Sequence, residues 1–185
     1  MSTNDFATQF AVLYRQEVEA MMQDLQSEFR EELKAQGHVD TGKLSDSITY
    51  SIELVSTAII ATMYMEDYGV PVDTGVSAAN IPYRGRSGAA TSKYIQGLIG
   101  YFQRKGLAEI EAKRAAFATA NKHKQEGMPT RNSFAYSQNG RRTNFVDATI
   151  SNNIDRLFET IEKGLGDGYE IQFNDYIRRV STEIK

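Results

Sequence analysis

The chain contains no cysteine and only two histidines, His38 and His123, in 185 residues. The first absence removes disulfides, thiol nucleophiles, Fe–S clusters and Cys-based zinc sites together. The second leaves little for imidazole ligation or general-base catalysis. No run approaches the roughly 20 apolar residues a membrane helix requires. The first residues, Met1 to Asp5, also lack the basic start and apolar core of a signal peptide. The expectation is a soluble chain made in the cytoplasm, with no membrane partner. No Gly-rich phosphate loop ending in Lys-Ser/Thr and no nucleophilic Ser elbow occurs. His38 stands beside a helix-stopping glycine and His123 inside the basic run Lys122-His123-Lys124. Neither has a partner at metal-ligand spacing, so no metal, cofactor or catalytic set is expected.

A hydrophobic fraction of 41% with 24% charged residues is that of an ordinary globular chain, and the length suffices for one domain with a proper core. The net charge of −3 conceals a split. Residues 84–142 hold twelve Lys/Arg against Glu109, Glu111 and Glu126, a local +9, so the remainder carries −12. Such a layout suits a solvated face, subunits that dock acid on base, or a patch that meets nucleic acid.

From Ser2 to Gln36, Phe6, Phe10, Leu13, Val18, Met21, Leu25, Phe29 and Leu33 recur mostly at steps of three or four, which predicts one long amphipathic helix with an acidic polar side, stopped at Gly37. The period then changes to two: Ile48, Tyr50, Ile52 and Leu54 alternate with polar residues as a half-buried strand. Val55 to Thr57 would turn into a second strand over Ala58 to Met65. Residues 69–90 and 127–143 collect turn formers and read as mobile arms suited to docking. Between them, stripes over Ser92 to Lys105 and Leu107 to Gln125, broken at Gly106, predict a helical hairpin. A further helix carrying Phe145, Ile150, Ile154, Leu157, Phe158, Ile161 and Leu165 should stop at Gly164, Gly166 and Gly168. Tyr169, Ile171 and Phe173 then alternate as a third strand before a closing helix over Asn174 to Ile184. The predicted fold is α+β: a long N-terminal helix packed on a small antiparallel sheet, a core of residues 1–71 and 141–185, an inserted loop and helical hairpin over 72–140, and C-terminal helices.

Val-Asp-Thr-Gly occurs twice, at Val39–Gly42 and Val72–Gly75. Aspartic proteases present their catalytic carboxylates on such a segment, two of them sharing one proton. That is an alternative reading for Asp40 and Asp73. Copies only 33 residues apart, in a mainly helical chain, fit better with turns in which Asp caps backbone N–H groups and Gly permits the bend. A second alternative is a nucleic-acid-binding accessory protein, with Arg131, Arg141 and Arg142 beside Phe134, Tyr136 and Phe145. The same arginines would serve equally on an acidic neighbouring subunit.

The long helix, the segment Val39-Asp40-Thr41-Gly42-Lys43-Leu44-Ser45-Asp46-Ser47-Ile48, the hairpin, and Tyr64-Met65-Glu66-Asp67-Tyr68-Gly69 follow one another in an order that resembles the tail-completion, or neck, proteins of tailed bacteriophages. Arg142 to Ala148 is similar to that family's approach to its last helix. The resemblance covers about residues 1–70 and 140–185; an extra residue between Glu66 and Tyr68 and the large insertion depart from it. It implies a non-enzymatic virion protein, synthesised in the host cytoplasm, that forms a homo-oligomeric ring between portal or head-closure layer and tail, near DNA. Asp40, Thr41, Gly42, Leu44, Ile48, Tyr68 and Gly69 are then architectural. Asp40 and Thr41 would cap a turn carrying Leu44 inward, Tyr68 would pack, and the acidic first helix would meet the basic insertion of a neighbour.

Overall fold

The computed structural model describes residues 3–55, 58–85 and 92–183. Part of the Val55–Thr57 turn, Ser87 and Gly88 of the first arm, and the side chains of Phe6, Phe10 and Val180 lie outside the described residues. The fold is α+β: helices α1 (Thr3–Ala35) and α2 (Lys43–Ser47), strands β1 (Thr49–Val55) and β2 (Ala58–Tyr64), then α3 (Gly69–Thr74), α4 (Lys93–Arg104), α5 (Glu109–Glu126) and α6 (Phe145–Glu183). The chain forms two compact units, one of residues 1–32, 45–66 and 146–185, the other of 33–44 and 67–145.

In the first unit, α1 buries Val18, Met22, Leu25 and Phe29 at helical spacing. It runs antiparallel to α6, since Glu17 meets Lys163 while Asp24 and Glu28 meet Arg156. Burying each large aliphatic or aromatic side chain contributes about 1.5–3 kcal/mol, so this row outweighs the ion pairs, which are partly exposed. The β1–β2 hairpin pairs Thr49 with Tyr64 through to Val55 with Ala58. Its base is tied to α1, where Gln26 Nε2 donates to the Ile48 carbonyl at 2.6 Å and Arg30 Nε to the Ser45 carbonyl at 3.0 Å. These side chains cap the end of the short α2, meeting the Ser45 carbonyl inside it and the Ile48 carbonyl just beyond. Ile48 is buried, but burial fades along the ribbon and Leu54 and Val55 at its end are exposed. Two strands alone cannot cover both of their own faces.

The C-terminal region departs from expectation. Gly164, Gly166 and Gly168 do not stop the helix, and Tyr169, Ile171 and Phe173 are not a strand; α6 runs unbroken through both. Three helical glycines cost about 1 kcal/mol each relative to alanine. At Gly164 the reason for tolerating that cost is visible, because a Cβ there would occupy the Tyr14 ring of α1. The glycine admits a close helix–helix approach. Tyr169 and Phe173 also stand four apart, and packing of α6 on α1 favours that helical period over the two-residue one.

The second unit is built on the expected helical hairpin. Ala112, Ala116 and Ala120 form a fully buried strip on α5, against which α4 sets Ile95 and Ile99, with Ile81 and Tyr83 completing the core. Small residues every fourth position let the two helices approach closely. Where they are described, the expected arms carry ordered contacts: Val76 and Met128 exchange backbone hydrogen bonds of 2.7 and 2.8 Å, and Arg131–Tyr136 forms a 3-10 turn.

Candidate functional site

The second unit gathers most of the residues singled out in the sequence, around the end of α1. A helix end leaves four carbonyls without intrahelical donors; here the N–H groups of His38 and Gly37 fold back on the Leu33 and Lys34 carbonyls, and a segment a hundred residues away supplies donors to Ala35 and to Gln36 just beyond the helix. Gln138 N–H donates to the Ala35 carbonyl at 2.7 Å and Arg142 Nη1 to the Gln36 carbonyl at 2.6 Å. The guanidinium also complements the negative end of the helix dipole. His38 Nε2–H donates back to the Arg142 carbonyl at 3.1 Å. Gly37 lies between them with φ of 74°, and a Cβ there would stand 2.5 Å from the Tyr136 carbonyl oxygen. Glycine supplies both the left-handed turn and the room. Burial and the Arg142 charge together hold the His38 pKa below its ordinary value, against the bond to the Arg142 carbonyl.

Arg142 is therefore a half-buried capping group rather than a free contact for a neighbour or a nucleic acid. Arg131 and Arg141 remain exposed, their backbone N–H groups bonded to Glu126 and Asn139. Asp40 does not cap its turn: its carboxylate is taken up by Arg104 of α4, with Nε at 3.0 Å. Among the described residues that carboxylate meets a cation and not a second carboxylate. Thr41 is exposed, Gly42 has φ of 82° just before α2, and Leu44 turns inward. Tyr68, expected to pack, is 44% exposed, and Gly69 beside it is buried at the start of α3. Asp73 works through its carbonyl, which accepts Asn144 N–H at 2.7 Å.

Tyr94 and His123 form a polar contact inside the α4–α5 hairpin, a hydrogen bond of 2.6 Å between the phenol oxygen and His123 Nδ1. Burial pushes the Tyr94 pKa up to about 12 and the His123 pKa down. The pair is a half-buried hydrogen bond between neutral groups, and among the described residues no cluster of three His, Asp or Glu could hold a metal ion. None of the described helices is long and apolar enough to cross a membrane.

The first unit carries a surface that the sequence reading did not identify. Along α6, Ile150 and Ile161, then Ile154, Leu165 and Tyr176, then Phe158 and Tyr169 recur at eleven residues, and each is between 38% and 73% exposed. An eleven-residue repeat matches 3.67 residues per turn, so the stripe runs nearly straight along the helix. From Ile150 to Ile177 it extends about 40 Å. The core side of α6 is instead marked by Asn153, Gly164 and Gly168. Asp155, Glu159, Glu162 and Glu170 follow the stripe one row further round, all exposed and none ion-paired among the described residues. Glu17, Asp24 and Glu28 of α1, by contrast, are engaged within the unit by Arg156 and Lys163. Contiguous exposed apolar surfaces of this length are the kind that proteins use to meet other proteins, membranes or ligands. The eleven-residue spacing was the signal for it in the sequence. No family model matches the chain, and neither a curated protein nor a solved structure is found to be similar to it.

Proposed function

We propose that this chain is a structural, non-enzymatic virion protein of a tailed bacteriophage, assembling as a ring in the neck or tail that connects the portal or head-closure layer to the tail. The observation that carries the reading is the order of the N-terminal half: long helix, Val39–Ile48 turn with Leu44 and Ile48 buried, antiparallel hairpin, and the Tyr64–Gly69 segment entering a short helix. That order resembles the one in the neck family, with an extra residue between Glu66 and Tyr68. The exposed stripe on α6 supports it, because a ring subunit needs surface that only a neighbour covers. Engagement of Asp40 by Arg104 and of Arg142 by the Gln36 carbonyl favours this reading over the protease and nucleic-acid alternatives; of the arginines in the latter, Arg131 and Arg141 stay exposed.

Reconstruction of the particle at side-chain resolution tests the proposal. The expected result is a ring of this chain between head and tail. Finding the protein in infected cells but never in purified particles would overturn it. Substituting Asp40 and Asp73 by Asn should leave assembly intact, with no peptide-cleaving activity at acid pH in either form.

A further inference from the structure

The two units differ sharply in charge. Residues 33–44 and 67–145 hold fourteen Lys/Arg against six Asp/Glu, +8, which leaves −11 on the other unit of the −3 chain. On the acidic unit, α6 bears the exposed apolar stripe with its unpaired acidic row. On the basic unit, α5 bears Ile110, 68% exposed, with Lys113 and Arg114 exposed beside it and without ion-pair partners among the described residues. Glu109 and Glu111 flank this patch in the first turn of α5.

We propose that α6 of one copy docks on the outer side of α5 of a second copy, its stripe covering Ile110 and its acidic row meeting Lys113 and Arg114. The inference rests on the ring reading, whose neighbour contact it names. A second α6 is a poorer occupant, because self-pairing would bring acidic rows together and like charges in apposition oppose association. The area is sufficient. Nine large side chains about half exposed, at roughly 200 Å² each when bare, leave on the order of 900 Å² of surface, close to what one partner gives to a standard interface. Each copy offers one α6 and one α5, so the contact is heterologous and propagates to a closed ring or an open filament.

The test is a charge exchange on the full chain, read by sedimentation velocity over a concentration series at low ionic strength. Wild type should associate. The pair Glu159→Lys with Glu162→Lys, and separately Lys113→Glu with Arg114→Glu, should each raise the midpoint concentration by about tenfold or more. Mixing the two variants in equal amounts, or placing all four changes in one chain, should restore association. Circular dichroism of each variant confirms that the helices are retained. A wild type monomeric at every concentration overturns the proposal. So does an α5 reversal without effect while the α6 reversal strengthens association or leaves it unchanged, the pattern of α6 self-pairing. A ring seen in the particle but indifferent to the exchange sinks this contact and spares the neck reading. A working exchange in a chain absent from virions does the opposite.

Discussion

Gly97 and Gly164 both sit inside helices, and only their surroundings distinguish them. A Cβ at Gly97 meets nothing within 4 Å, whereas at Gly164 it meets the Tyr14 ring. Gly97→Ala should therefore stabilise the chain by up to about 1 kcal/mol through helix propensity. Gly164→Ala should destabilise it by about 1–3 kcal/mol through overpacking, despite the same gain in propensity. Urea unfolding of the two variants against wild type checks both signs. Arg142 makes a comparable case. Arg142→Met keeps most of the apolar stem but strips the Gln36 carbonyl of its donor, and should cost about 1–3 kcal/mol. In the sequence Arg142 reads as a surface cation beside Arg141, because its acceptor lies 106 residues earlier. Pairings at that separation leave no local signature, and Asp40 with Arg104, 64 apart, was illegible for the same reason.

At the scale of elements, periodicity identified α1, both strands and the α4–α5 hairpin, each within a few residues of its observed bounds. It failed over 164–173, where glycines and a short alternation both argue against helix. What decides there is tertiary: Tyr14 on Gly164, and the ion pairs that hold α6 against α1. The stripe on α6 was legible as a helix face only as far as Leu165, and not as an exposed one, since spacing alone does not say which face the core takes. The α4–α5 hairpin adds a pH dependence. Burial lowers the folded-state pKa of His123 and of His38 below the unfolded value of about 6.5. Above that value both states are neutral at these positions. As pH falls through it the unfolded chain takes up protons first, so stability should decline from about pH 6.5 downward until the folded histidines also protonate. His123→Gln should flatten part of this slope between pH 6.5 and 5.5 and leave the His38 share, as measured by denaturation midpoints across that range.

For the whole molecule, the sequence already showed a basic segment in an acidic frame, and the contacts redraw its edges by assigning residues 33–44 to the basic unit. If acid on base guides association, added salt should weaken it in a graded way by screening the exposed charges, while the apolar stripe leaves a salt-insensitive remainder. Sedimentation at rising ionic strength measures both parts. The antiparallel pairing of α1 with α6 has a further consequence, during synthesis. Glu28 must wait for Asn153, 125 residues later, and Glu17 for Lys163, 146 later. At about 5–20 residues per second that delay is on the order of ten seconds. Through it the row of Val18, Met22, Leu25 and Phe29 has no α6 to lie against, and by its end everything needed for the second unit has been made. Contacts this distant along the chain form slowly. The nascent protein therefore completes its second unit first and its first unit last, with α1 open to capture by other chains until α6 leaves the ribosome.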